Sequence, residues 1–358
     1  MSYKDSESEY YKFLKKQSCM GRRELLQRVI SVGAFLPLQF QRGRGRRGWR
    51  PPRVVDPAQI PVYKYRILPV DRFPSLQKEF DAARRNDALG RDRMYREQIA
   101  PLGFKMPADF PDAKSVVVVA AYAKNMQANF HLDGESYRIV IPFQYYREDL
   151  DSEKLKDVVR KEIIKRDAAR IVDVSSTVPL KLLAARSGLG HYARNSLIFV
   201  DGMGSYNLLY AFLTDHPCAE DHWTEPRILD ECNRCHACER TCPTRCISRW
   251  SYAVNIDKCL TLYNENTGDF PNFILGSMHH ALMGCLKCKA PCPVNEGIAE
   301  LTGELEDVTE EETLKILKGA PDTALLKSLQ RKLRQFRGVQ EKEHFPVMSR
   351  NLRALIRI

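Results

Sequence analysis

The chain has 358 residues, a formal net charge of +11 at pH 7, and 44% hydrophobic against 28% charged residues. That is the make-up of an ordinary globular protein, and at about 150 residues per domain the length suits two domains whose cores need no disulfide staples. The longest near-continuous apolar run, Val116 to Ala123, is far short of the ~20 residues that span a bilayer, so a multi-pass membrane protein, a coiled coil and a disordered chain are excluded.

The basicity sits at the ends. Residues 1–50 carry 12 Lys/Arg against 4 Asp/Glu, residues 321–358 carry 9 against 3, and the stretch between carries 35 against 38. Charge governs encounter and solubility rather than fold, so these ends suit phosphate or an acidic partner as readily as solvent. Residues 1–50 read as a separate preamble that closes in the Gly/Arg-rich tract Gln41–Arg50, which no packed core uses. Within it, Arg22-Arg23 followed by Leu25, Leu26 and the apolar stretch Val29–Phe40 resembles a twin-arginine export signal. No small-residue cleavage site follows, and a basic tract stands where processing belongs, so a cytoplasmic protein is the expectation and export the competing one.

Residues 51–215 read as a mixed α/β domain. Lys114–Ala121 predicts a buried strand, because four consecutive valines fit a pleat covered on both faces. Ser152–Ile171 spaces Leu155, Val158, Val159, Ile163 and Ile164 as one face of a helix. Pro179 starts a second helix, Leu180–Ser187, which Gly188 and Gly190 end. Ser196–Val200 and Leu208–Leu213 predict strands either side of an Asp201–Gly204 turn. Residues 216–298 hold most of the cysteines and little periodicity. Thr309 and Glu312 then form a capping box for a helix running to Lys318, stopped by Gly319 and Pro321, and a basic amphipathic helix covers Asp322–Phe336.

Ten of the eleven cysteines fall within 75 residues. Dense two-residue gaps in a chain of this size point to metal ligation rather than to a disulfide framework. Cys232-x2-Cys235-x2-Cys238-x3-Cys242-Pro243 matches the bacterial ferredoxin run, in which three thiolates wrap one cubane and the fourth reaches a second. Cys259…Cys285-x2-Cys288-x3-Cys292-Pro293 completes the pair, with its first member displaced upstream. The spacing therefore assigns Cys232, Cys235, Cys238 and Cys292 to one [4Fe–4S] cluster, and Cys242, Cys259, Cys285 and Cys288 to the other. Structural zinc also takes C-x2-C pairs, but as separated pairs and not as evenly spaced triplets ending in proline. Cys19 lies in the preamble. Cys218 and Cys246 read as small buried hydrophobes near the clusters, with Cys218, between His216 and His222, also a spare ligand. His191, His279 and His280 are candidate ligands that more often act as hydrogen-bond donors or surface residues. No glycine-rich nucleotide loop is present.

The run Pro179–Gly190 (PLKLLAARSGLG), then Arg194-Asn195, Gly204-Ser205-Tyr206 and Thr214-Asp215 leading into the cysteines, resembles the epoxyqueuosine reductases. These are cobalamin- and [4Fe–4S]-dependent enzymes of tRNA queuosine synthesis, related to the corrinoid reductive dehalogenases. The likeness covers about residues 112–296. It implies an α+β protein with four parts: the preamble at 1–50, a nitroreductase-like α/β domain holding cobalamin at 51–215, a ferredoxin-like double-cluster domain at 216–298, and C-terminal helices at 299–358. By motif position, Gly188, Leu189, Gly190, Arg194, Asn195 and Ser205 would line the corrinoid. An external ferredoxin or flavodoxin would supply electrons, and tRNA would be the partner.

Two departures concern the proton donor. The family's D-[ST]-[AG]-P segment reads Asp173-Val-Ser-Ser-Thr-Val-Pro179 here, with one extra residue, which leaves Asp173 as the candidate acid. The family's R-Y-A-x-G-x-D-Y-H stretch is replaced by Ile141–Tyr146 (IPFQYY), so Tyr145 or Tyr146 is a second candidate, as a tyrosine serves in the dehalogenases. The alternatives are a reductive dehalogenase, which suits the export reading, and a ferredoxin-type electron carrier that binds no corrinoid.

Overall fold

The computed structural model describes residues 59–85, 99–146, 152–248, 254–319, 321–334, 336–340 and 344–357; the preamble, with Arg22-Arg23 and Cys19, lies outside the described residues. In chain order the front half contains β1 (Tyr63–Pro69), α1 (Phe73–Arg85), β2 (Ser115–Tyr122), β3 (Asn125–Leu132), β4 (Glu135–Ile141), α2 (Ser152–Val158), β5 (Ile171–Asp173), α3 (Leu180–Arg186), β6 (His191–Tyr192), β7 (Ile198–Phe199) and β8 (Asn207–Thr214). The back half contains α4 (Ala237–Thr241), α5 (Leu260–Glu265), β9 (Thr302–Glu304), α6 (Glu310–Lys318), α7 (Thr323–Lys332), α8 (Arg337–Gln340) and α9 (Phe345–Ile356).

The main sheet has the order β1-β2-β8-β5, every neighbouring pair antiparallel. The valine strand is central, and its alternation divides it between two cores. Val116, Val118 and Ala120 meet Leu76 and Phe80 of α1 and Leu182 and Leu183 of α3 on one face. Val117, Val119 and Ala121 meet Leu155, Val159 and Phe212 on the other. Helices therefore cover both faces of an antiparallel sheet. The helix read over Ser152–Ile171 is shorter: α2 gives way to a wider turn over Val159–Ile164 that ends in left-handed Lys165, φ 55°. Ile171 is drawn instead into β5, where it pairs with Thr214.

A hairpin, β3–β4, stands apart from this sheet. Its turn, Asp133-Gly134, has φ of 52° and 76°, the two positive angles that a type I′ turn requires. β9 adds to β3 in parallel. The inner face of the hairpin (Met126, Phe130, Ile141) forms one core with Leu305 and with Ile316, Leu329, Phe336, Val347, Met348 and Leu352 of the last helices. Packing thus joins residues 126–146 to 305–356, across the boundaries expected at 215 and 298. Among the described residues no helix is long and apolar enough to cross a membrane.

Candidate functional site

Between the sheet and the helical end lie the cysteine loops, which are built from short turns. Cys232 sits in the turn Asp230–Asn233, Cys238 on α4, and Cys242 and Cys292 in the extended conformation just before a proline. Cys232, Cys235, Cys238 and Cys292 come together closely enough that Cys292 feels the other three electrostatically. Cys242, Cys259, Cys285 and Cys288 gather in a second nest, in which Cys285 feels the other three. Cys238 and Cys288 also interact, so the nests adjoin.

Burial pushes the Cys238 thiol up to about 11, and those of Cys285, Cys288 and Cys292 to about 12. Cys242 and Cys259 go the other way, to about 5 and about 7, chiefly because the Cys246 side chain hydrogen-bonds to each. Cys246 thus lies inside the second nest, 5% exposed. Its only sequence signal is its position four residues after Cys242. Cys218 stands elsewhere and bonds the Glu220 carbonyl. Among the described residues no three His, Cys, Asp or Glu side chains converge on a point that one metal ion could occupy. A single tetrahedral zinc would need thiols about 3.8 Å apart.

The residues expected to line a corrinoid fall into two groups. Arg194, Asn195 and Ser205 are all buried, and they hold the cysteine loops. Arg194 Nη2 donates to the Cys232 carbonyl at 2.6 Å, and Asn195 Nδ2 to the Cys288 carbonyl at 3.1 Å. Ser205 pairs with Asn295: its N–H donates to Asn295 Oδ1, while Asn295 Nδ2 donates to Ser205 Oγ and to the Lys289 carbonyl, each at 2.9 Å. Gly204 (φ 55°) makes this close approach possible, since a Cβ there would collide with the Asn295 carboxamide. Asn295 is a site residue that the sequence did not announce. The second group, Gly188, Leu189 and Gly190, lines a cavity of about 140 Å³ together with Lys64, Arg66 and His191.

Two lysines flank the second nest. Lys289 is buried over the Phe143 ring at 4.1 Å, and burial lowers it to about 8 despite the neighbouring Cys288. Lys181, at the start of α3, feels Cys259, Cys288 and Lys289. Its side chain is exposed beside that nest. Near Phe143 and Tyr206, the Tyr122 hydroxyl is buried with no partner among the described residues.

The candidate acids are scattered. Tyr145 is buried beside Cys259 and donates to Glu265; burial raises both groups, Tyr145 well above the usual phenol range. Tyr146 bridges to Phe336 in the helical core. Asp173 ends β5, where Oδ1 accepts from the Ser175 N–H at 2.8 Å and Oδ2 from the Ser152 hydroxyl. His280 accepts from the Leu286 N–H at 2.9 Å, and His279 packs on Phe270 with ring centroids 4.5 Å apart.

No family profile matches the chain. Among curated relatives, the epoxyqueuosine reductase of Cellulophaga algicola is 28% identical over 51% of this chain and 59% of its own length. That of Leadbetterella byssophila is 33% identical over 38% and 43%, and that of Escherichia coli 30% identical over 42% and 38%. The matched part spans only 30% to 59% of the curated relatives' length. Among solved structures, epoxyqueuosine reductase from Bacillus subtilis covers 94% of this chain and 80% of its own at a TM-score of 0.56 and 19% identity. The enzyme from Streptococcus thermophilus covers 84% and 78% at 0.55 and 19%. A further structure of 0.56 and 19% identity holds an epoxyqueuosine-modified tRNA stem loop. The shared fold and the sequence matches agree: over the matched part this chain is similar to the epoxyqueuosine reductases, and it has their fold.

Proposed function

We propose that this protein is a reductase carrying two [4Fe–4S] clusters and a cobalamin, acting on a tRNA-borne substrate of the epoxyqueuosine type. The observation that carries the reading is the sorting of eight thiols into two adjoining groups of four. Thiols too spread for one ion but grouped by fours suit cubanes, whose four ligands each hold a different iron. The raised thiols of Cys238, Cys285, Cys288 and Cys292 add that loading must displace protons from these four.

For the corrinoid, the fit rests on an orphaned polar atom: the Tyr122 hydroxyl is buried without a partner among the described residues, in the Phe143–Tyr206 cluster that Lys289 overlies. Gly188–Gly190 line the separate cavity with Lys64, Arg66 and His191, and Arg194, Asn195 and Ser205 act by fixing the cysteine loops. When bound, a corrinoid supplies a low-potential cobalt centre able to reduce a polarised carbon bond. The chain's own part includes a proton. Tyr145 Oη holds one toward Glu265 next to the second nest, and of the three candidate acids it alone stands beside a cluster ligand. The basic ends suit tRNA phosphates.

The test is anaerobic purification with cobalamin supplied, followed by iron and cobalt assays on one sample. About eight iron and one cobalt per chain are expected from two cubanes and a corrinoid. Eight iron without cobalt would leave a ferredoxin-type carrier, and zinc in place of iron would refute the whole reading. Tyr145→Phe is expected to lower turnover at least ~100-fold, as loss of a general acid does, with iron content unchanged. Unchanged turnover would remove Tyr145 from the role.

A further inference from the structure

The second nest holds five thiols, one more than a cubane can use. Cys246 Sγ lies 3.4 Å from Cys242 Sγ and also hydrogen-bonds to the Cys259 side chain. Its position is built rather than incidental. The Asn255 N–H donates to the Cys246 carbonyl at 2.9 Å, and Ile247 and Val254 pack around the group it forms with Cys242, Cys259 and Cys288. Among the described residues the first nest has no such extra sulfur, because Cys218 is bonded to Glu220 instead.

A [4Fe–4S] cluster takes one ligand per iron, four in all. The ligating thiols lose their protons on binding metal. In the loaded nest Cys242, Cys259, Cys285 and Cys288 are thereby acceptors only, and Cys246 is the one cysteine left with a proton to give. We propose that Cys246 is not a ligand but an S–H···S donor, shared between the Cys242 and Cys259 sulfurs, that raises the reduction potential of the second cluster relative to the first. The proposal rests on the cluster reading above.

The physical basis is charge. One electron from an external reductant adds negative charge, which spreads onto the thiolate sulfurs. A donor aimed at them stabilises the reduced form more than the oxidised one, and hydrogen bonds to sulfur are a recognised determinant of cluster potential. The proton stays on Cys246, and no bond is made or broken. Lys181 and Lys289 lean on the same nest, but Arg194 faces Cys232 and Cys238 in the first, so cations stand by both. What the second nest alone has is a fifth thiol within hydrogen-bond reach of two ligand sulfurs.

The experiment compares wild type, Cys246→Ala and Cys246→Ser, each as the full chain reconstituted anaerobically. Each is assayed for iron and then titrated potentiometrically with the clusters followed by electron paramagnetic resonance. All three are expected to hold about eight iron. In Cys246→Ala the second cluster is expected to become roughly tenfold harder to reduce, a fall of about 59 mV for one electron, with the first unchanged. Cys246→Ser, whose hydroxyl still donates, is expected to retain most of the wild-type value. Equal potentials in wild type and Cys246→Ala would overturn the proposal. Loss of about four iron in both variants would overturn it too, by making Cys246 a ligand. A wild-type protein without iron would instead refute the cluster reading, and this inference with it.

Discussion

The carboxamide of Asn295 makes three hydrogen bonds in a fully buried position, and through them one side chain ties the Gly204–Ser205 turn to the loop after Cys288. Removing it strands the Ser205 N–H, the Ser205 hydroxyl and the Lys289 carbonyl away from water. At 1–3 kcal/mol for each orphaned group, Asn295→Ala is expected to cost about 3 kcal/mol of stability, readable by denaturant titration. The clusters proposed above should also bleach faster in air in this variant. Wild-type stability and bleaching would show that the turn does not brace the loop. Arg194 and Asn195 belong to the same class of buttress, since their side-chain bonds end on the carbonyls of Cys232 and Cys288, while the Arg194 backbone bonds the Cys232 thiol. The motif Arg194-Asn195 was legible in the sequence as a site. What it touches was not, because a backbone carbonyl leaves no mark in the letters.

Among the elements, α6 shows most directly how sequence becomes structure. Thr309 Oγ1 accepts from the Glu312 N–H while the Glu312 carboxylate accepts from the Thr309 N–H, and Gly319 closes the helix at φ 76°. Glu312 does more than cap. Burial pushes its pKa up, but the Lys332 ammonium at 2.7 Å, the Ser328 hydroxyl at 2.6 Å and the Thr309 backbone outweigh that and hold it at about 2. A depressed carboxylate stabilises the fold above its unfolded pKa, near 4.3, and that contribution is lost as pH falls toward 2. Glu312→Gln is therefore expected to cost ~2 kcal/mol at pH 7, with the gap to wild type closing between about pH 4 and pH 2. A gap that stays constant with pH would mean the charge is not what matters. The helix and its cap are local and were readable. The partners of Glu312 lie on α7, sixteen and twenty residues on, and were not.

For the molecule as a whole, the hydrophobic core matters more than the order of segments along the chain. The hairpin β3–β4 buries Met126, Phe130 and Ile141 against α6–α9. Truncation after residue 298 is thus expected to uncover that face, giving dye-binding, protease-sensitive protein rather than a stable two-domain core. A truncated chain with an intact hairpin would show that the C-terminal helices are an independent unit. The same helices carry much of the terminal positive charge. The tRNA binding proposed above should weaken steeply with salt, by a slope that grows with each phosphate contact, and charge reversal at Arg353 and Arg357 should flatten it. A slope unchanged in that variant would move the RNA to another face.

The cysteine ladder, the central valine strand and the α6 cap were written in the local sequence, because each is dictated by neighbours a few residues apart: ligand reach, period-two burial and capping geometry. Tertiary packing brought Cys246 into the second nest, set Asn295 and Arg194 against the loops, and placed Lys181 beside Cys259 and Cys288. It also joined a hairpin from the front of the chain to helices from its end. These depend on which surfaces meet after the chain has folded back, across 38 residues from Arg194 to Cys232, 90 from Ser205 to Asn295 and farther still from the hairpin to the last helices, and no local pattern encodes that meeting.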